Sequence, residues 1–242
     1  VQAQTGEIFD ATGDRPALGL SDIHIWLFSL DQAAHIDCLS PRERDAAAAL
    51  RFATDRRRYV AGHTARRRIL ARYCEECAEA LRFTVATNGR PSLASRKVNC
   101  NYSRSEGWGV LAVSRAAVLG VDIEAIRAHD DLSAVARQNF SIAEQRALAT
   151  LSGADRIAGF YDCWTRKEAV VKAMGDGLSA PLSAFDITLT SDAAPAIVRA
   201  EGPCAQARDW SLRAFSPREG FTGAVVSDIA APELHFFREP PN

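Results

Sequence analysis

The sequence predicts an α+β fold of two similar halves in a pseudo-twofold arrangement, with a ligand cleft between them. Three observations carry this. Short apolar runs of strand character alternate with capped helical stretches. A cap followed by a charged helix occurs twice at equal spacing. Finally, 242 residues that are 47% hydrophobic and 24% charged suffice for two packed cores.

Residues 1–20 are mixed and punctuated by Gly and Pro, which predicts a loose lead-in without the basic-then-apolar pattern of a secretory leader. Ile23 to Leu30 reads as a strand. Ser40-Pro41 predicts an N-cap with Pro at the first helical position and Glu43 in the first turn, opening a helix over 41–53. A second helix is predicted from Asp55 to Ala80. Asn88-Gly89-Arg90-Pro91 is a turn signal. Trp108–Val113 and Gly120–Ile123 read as short strands, with Ser114-Arg115 as a hairpin turn between them. Leu132–Asn139 is helical in pattern. Ser141 with Glu144 has capping-box spacing. Gly159–Met174 is a helix stopped by Gly175-Asp-Gly177. Strands are predicted over 185–190, 208–215 and 221–227.

The repeat sets the domain boundary. Ser40 precedes His63 by 23 positions, and Ser141 precedes Trp164 by the same 23. The expected division is an N-terminal half over 21–118 and a C-terminal half over 119–242. Because the repeat supplies both walls of the cleft, a monomer is expected.

Net charge is −1, which gives no bulk attraction to nucleic acid or anionic membrane. No apolar run has the length of a membrane span. The six cysteines include one lone C-x-x-C, Cys74 and Cys77, with no second pair, so free thiols in a reducing cytoplasm are expected.

Two stretches carry chemistry. In Gly120-Val-Asp122-Ile-Glu124 the strand period puts both carboxylates on one face. Paired carboxylates repel unless a cation joins them, and hard oxygen donors suit Mg²⁺; a solvated strand edge is the plainer alternative. In Trp164-Thr-Arg-Lys167-Glu168-Ala-Val-Val-Lys172, Glu168 and Lys172 are helical neighbours. This stretch holds two of the chain's three lysines, the other basic residues being mostly arginine. A third carboxylate and two ammonium groups near Asp122 would bind a metal and a polyphosphate together. An Arg-rich segment, Arg56 to Arg72, and Arg90 offer further phosphate contacts.

These motifs resemble the Sfp-type 4′-phosphopantetheinyl transferases. Their signatures G-[VI]-D-[IV]-E and W-x-x-K-E-[AS]-x-x-K-x-x-G-x-G-L stand here as Gly120–Glu124 and Trp164–Leu178. The pattern from Leu39 to Tyr59 and the turn Gly89-Arg90-Pro91 extend the likeness over most of the chain. The resemblance implies transfer of the phosphopantetheine arm of coenzyme A to a serine of an apo acyl or peptidyl carrier protein of fatty-acid, polyketide or nonribosomal-peptide synthesis. It implies Mg²⁺ (with Mn²⁺ as an alternative) held by Asp122, Glu124 and Glu168. Lys167 and Lys172 match positions facing the pyrophosphate, and Arg58 and Arg90 match positions near the nucleotide phosphates. Glu144 matches a carboxylate that takes the serine proton in some members. Together with Lys172 it forms the expected catalytic pair. Asn101-Tyr-Ser103-Arg104-Ser departs from the family's N-x-S-H-S. Arg104 is expected to keep phosphate binding beside Ser103 but not to act as a base.

A metal-dependent nuclease of the PD-(D/E)xK type shares the bare acidic spacing. Its lysine lies on a strand, however, whereas Glu168 and Lys172 sit in a helical pattern. A module that binds coenzyme A without transferring it is disfavoured by the intact Asp122, Glu124, Glu168 and Lys172 set.

Overall fold

The computed structural model describes residues 8–10, 17–33, 35–85, 91–95, 97–129, 131–175, 181–189 and 194–239. The expected turn at Asn88–Arg90 lies outside the described residues.

The N-terminal half begins with strand β1 (Ile8–Asp10) and strand β2 (Asp22–Ser29), followed by helix α1 (Pro41–Ala49) and helix α2 (Ala53–Cys74). Two hairpins follow: β3 (Phe83–Val85) with β4 (Pro91–Leu93), and β5 (Asn99–Ser105) with β6 (Trp108–Ser114). The C-terminal half repeats the order. Strand β7 (Leu119–Ala125) leads into helices α3 (Leu132–Asn139), α4 (Ile142–Ala149) and α5 (Gly153–Met174). Then come β8 (Phe185–Ile187) with β9 (Ile197–Ala200), and β10 (Ser211–Phe215) with β11 (Phe221–Ser227). Strand β12 (Glu233–Arg238) is the last strand among the described residues.

The strand order β2-β6-β5 in one half answers β7-β11-β10 in the other. Helices α2 and α5 both run 22 residues. Both short helices α1 and α4 open with a complete capping box, Ser40 with Glu43 and Ser141 with Glu144.

Three expectations need correcting. First, β6 and β7 do not form a hairpin. β6 pairs with β2 and β5, and β7 pairs with β11. Ser114-Arg115 instead carries the chain from one sheet to the other. Second, the C-terminal half does not hold all of 119–242. β12 returns to lie parallel to β2 within the first sheet, and its six residues, Glu-Leu-His-Phe-Phe-Arg, lack a clean alternation and are too short a signal to assign it from sequence. Third, the lead-in contributes β1, which pairs parallel to β12.

The two sheets face each other across a shared apolar layer. Ile23, Ile25, Leu27 and Val110 meet Leu119, Val121, Ile123 and Val225 there. The outer face of the first sheet is covered by α2, through Ile69, Leu70 and Tyr73 against Trp26 and Phe28. β2 is therefore buried on both faces, which explains its weak alternation in sequence. The second sheet is covered by α5, through Cys163, Ala169, Val170 and Ala173.

Candidate active site

The site forms where two sheet edges meet. β5 ends the first sheet and β7 ends the second. No backbone ladder joins them; side chains of β5 do. Val121 donates its backbone N–H to Asn101 Oδ1 at 3.0 Å, and Ala125 donates to Ser105 Oγ at 3.1 Å. Because Asn101, Ser103 and Ser105 are two apart, all three reach toward β7.

On β7, Val121 and Ile123 are buried in the inter-sheet layer, and Asp122 and Glu124 face the other way. Asp122 is 4% exposed. Its Oδ1 accepts from Ser103 Oγ at 2.6 Å and from Lys172 Nζ at 2.7 Å. Its Oδ2 is buried and has no hydrogen-bond partner among the described residues. Glu124 accepts from Ser105 Oγ at 2.6 Å.

Helix α5 brings Glu168 and Lys172 to this place because Gly120 has no side chain. A Cβ at Gly120 would collide with the Ala169 carbonyl and come within 2.5 Å of the Ala173 nitrogen. The glycine therefore lets the helix lie directly on β7.

Burial raises the pKa of all three carboxyl groups. For Asp122 the charge and hydrogen bond of Lys172 oppose that rise, together with Ser103. For Glu124 the Ser105 bond opposes it, while the charges of Asp122 and Glu168 add to it. For Glu168, Asp122 adds to it and Lys172 opposes. The three acids thus feel one another's charge in partly desolvated surroundings, with one ammonium among them. Their oxygens do not form a trio within 4.8 Å; among the described residues that spacing is met by Asp22, His24 and His235. Three mutually repelling hard-oxygen donors and an orphaned Asp122 oxygen are a donor set that fits a divalent cation such as Mg²⁺.

Glu144 and Lys167 require correction. Glu144 is 2% exposed, and its carboxylate accepts from the backbone N–H of Ser141 at 2.8 Å and of Ile187 at 2.9 Å. Lys167 is fully buried, 2.9 Å from Glu144 Oε2, and donates to the carbonyls of Leu182 and Phe185 at 2.6 and 2.8 Å. Its three protons are spent inside the C-terminal half, so it does not face a pyrophosphate. Nor is Glu144 open to a carrier serine.

The remaining expected residues are spread along the N-terminal half. Arg58 grips Asp31 with two bonds, of 2.6 and 2.9 Å. Ser103 serves Asp122 rather than an open phosphate pocket. Arg104 is exposed on β5, and Arg90 lies outside the described residues. Sequence reasoning missed Ser105, although the alternation Asn101, Ser103, Ser105 was a usable signal. It also did not single out Arg66 from its arginine-rich neighbours. Arg66 lies over the rings of Tyr102 at 5.1 Å and Phe83 at 5.7 Å, and its buried Nε has no hydrogen-bond partner among the described residues. The Tyr102 hydroxyl, raised by burial, feels both Arg66 and Arg104, so these two guanidinium groups share one neighbourhood.

No helix among the described residues is long and apolar enough to cross a membrane. The six cysteines are all unbridged.

Comparison with known proteins gives a consistent result. A family model described as the 4′-phosphopantetheinyl transferase superfamily matches residues 118–226, the span from β7 to β11. The 4′-phosphopantetheinyl transferase HetI of Nostoc sp. is 32% identical over 217 residues, covering 86% of this chain and 88% of the relative. The 4′-phosphopantetheinyl transferase psf-1 of Bacillus pumilus is 34% identical, covering 64% of this chain and 65% of the relative. The 4′-phosphopantetheinyl transferase Sfp of Bacillus subtilis is 26% identical, covering 64% and 68%.

Proposed function

The chain belongs to the 4′-phosphopantetheinyl transferase superfamily, and from that premise we propose that it moves the 4′-phosphopantetheine group of coenzyme A onto a serine of an apo acyl or peptidyl carrier protein. The observation that carries this reading is the cluster of Asp122, Glu124, Glu168 and Lys172 at the β5–β7 seam.

In the reaction the serine hydroxyl attacks the β-phosphate of coenzyme A. A bond forms between the serine oxygen and that phosphorus, and the bond to the bridging oxygen breaks. The products are holo-carrier and 3′,5′-ADP, with the serine proton released. Negative charge grows on the departing diphosphate, and stabilising it is the main catalytic task. Lys172 is the ammonium placed to do so, since it donates to Asp122 at 2.7 Å and its charge also acts on Glu124 and Glu168. Asp122, Glu124 and Glu168 would hold Mg²⁺, which when bound neutralises phosphate oxygens and orients them. Ser103 and Ser105 fix the carboxylates through their 2.6 Å bonds. Arg66 and Arg104, with Arg58 and Arg90, are the cations proposed to meet the nucleotide phosphates; Arg is suited to phosphate by its planar fork of donors. The reading extends to a monomer working in the reducing cytoplasm.

The test is mass spectrometry of a panel of apo-carrier proteins incubated with the protein, coenzyme A and Mg²⁺. A mass gain of one phosphopantetheine arm on a carrier supports the proposal. Binding of coenzyme A with no arm transferred to any carrier would favour a binding module instead.

A further inference from the structure

A second cluster of ligating side chains lies away from the acidic site. Asp22 opens β2, and His24 follows on the same strand face. His235 of β12 lies directly opposite His24 in the parallel register. Each of the three brings one donor atom to within 4.8 Å of the others. Asp22 Oδ1 is 3.6 Å from His235 Nε2, and Asp22 Oδ2 is 4.0 Å from His24 Nε2. Metal bonds of about 2.0–2.1 Å in a tetrahedral site place ligand atoms about 3.3 Å apart. The two Asp22–His separations lie within about 0.7 Å of that spacing, and all three donors lie within 4.8 Å of one another.

Three details point to a ligand rather than to an ordinary ion pair. His235 Nε2 is buried with no hydrogen-bond partner among the described residues. His24 uses its other ring nitrogen, Nδ1, on the Tyr73 hydroxyl at 2.8 Å. That leaves Nε2 for a metal, the arrangement in which an outer partner fixes a ligating imidazole. Asp22 is oriented from outside as well, its Oδ2 accepting from the Gly19 backbone N–H at 2.7 Å.

The cluster is separate from the acidic site. His24 lies on the α2 face of the first sheet with Trp26 and Tyr73, whereas Ser103 reaches the opposite way to Asp122. The two are also offset along β6, where His24 faces Val113 and Ser103 faces Val110.

We propose that Asp22, His24 and His235 form a binding site for a divalent transition-metal ion of the Zn²⁺ class. Two imidazoles and one carboxylate select such ions over Mg²⁺. The ion would tie β12, the strand that returns from the C-terminal half, to β2. It takes no part in phosphopantetheine transfer.

The test uses the untagged full-length chain stripped with EDTA, then titrated with Zn²⁺ by calorimetry in excess Mg²⁺. One Zn²⁺ is expected to bind per chain, and equally in Asp122→Asn. In His235→Gln and Asp22→Asn the affinity should fall at least about 100-fold, since even outer-sphere changes cost about 10–100-fold. Circular dichroism checks that each variant is folded. Co²⁺ gives a second readout: visible ligand-field bands in the wild type and none in His235→Gln. Absence of Zn²⁺ binding in the wild type, undiminished binding in His235→Gln, or its loss in Asp122→Asn would overturn the proposal.

Discussion

Lys167 of α5 lies 2.9 Å from Glu144 inside the C-terminal half, and Arg67 of α2 lies 2.7 Å from Glu43 at the corresponding place in the N-terminal half. Each acid is the capping-box residue of the short helix before it. Each cation also donates to two backbone carbonyls, Ala78 and Leu81 for Arg67, and Leu182 and Phe185 for Lys167. Each further lies over a phenylalanine ring, Phe83 or Phe185. A device present in both halves, only one of which carries the acidic cluster, is structural. It pins the short helix and the following hairpin to the long helix.

Breaking either pair should therefore act on stability rather than on chemistry. Removing one partner of a buried pair leaves an uncompensated charge and costs about 3–5 kcal/mol. Lys167→Ala is expected to lower the urea midpoint accordingly. Glu144→Gln should destabilise while leaving kcat per folded molecule within a few-fold of wild type. A fall in kcat of about 100-fold or more at unchanged stability would restore Glu144 as a base.

Glu43 gives this arrangement a pH signature. Burial alone would raise its pKa, but hydrogen bonds from His63, Arg67 and Ser40 outweigh that and hold it well below its usual 4.5. A depressed carboxylate stabilises the fold at pH above its unfolded value and loses that contribution as pH falls through the folded value. Wild type should lose stability as pH drops below about 4.5. Glu43→Gln, less stable at pH 7, should show a shallower loss over that window in denaturant titrations. Parallel curves would contradict the assignment.

Gly120 controls the approach of α5 to β7. Gly120→Ala places a methyl against the helix backbone, an overpacking that costs about 1–3 kcal/mol and moves Glu168 and Lys172 away from Asp122. The expected outcome is a reduced thermal midpoint together with a kcat/KM at least tenfold lower. Wild-type values for both would show that the contact is not needed.

Much of this was legible in the sequence, and the omissions have physical causes. Asp122, Glu124, Glu168 and Lys172 were found because strand and helix periods fix which side chains share a face. The caps at Ser40 and Ser141 were equally plain. The burial of Lys167 was not, since its position one residue before Glu168 says nothing about which carbonyls turn toward it. The pairing of β12 with β2 was hidden because sheet membership is a long-range property that no local pattern records. The repeat gave the halves but not the crossing of their last strand. Ser105 was readable by alternation, yet its role depends on the edge of β7 being left free by its own sheet.

Ser103 and Ser105 position carboxylates and should be read out through metal dependence. Ser103→Ala removes one of the two side-chain donors to Asp122 Oδ1 seen among the described residues and leaves Lys172. The Mg²⁺ concentration for half-maximal transfer should rise by about 10–100-fold, the usual scale for outer-sphere ligands. Saturating Mg²⁺ should recover most of the rate. A loss of rate that Mg²⁺ does not rescue would assign the hydroxyl to coenzyme A instead.

Relief of repulsion in the acidic pocket should separate stability from activity. Burial and the charge of Asp122 raise the pKa of Glu168, so its ionised form opposes folding at neutral pH and that penalty fades as pH falls through the raised value. Glu168→Gln is expected to unfold at higher temperature than wild type in metal-free buffer at pH 7, while transfer drops at least about 100-fold. A lower midpoint would show that Glu168 is held by favourable partners.

The central claim is that Asp122 at the β5–β7 seam organises phosphopantetheine transfer. The most direct measurement compares wild type with Asp122→Asn, verified as folded, in transfer of the arm from coenzyme A to an apo-carrier followed by intact-protein mass spectrometry. Wild type should convert the carrier to its holo form, and Asp122→Asn should be slower by about 1,000-fold or more, the scale of losing a principal electrostatic group. Equal rates for the two proteins would contradict the account.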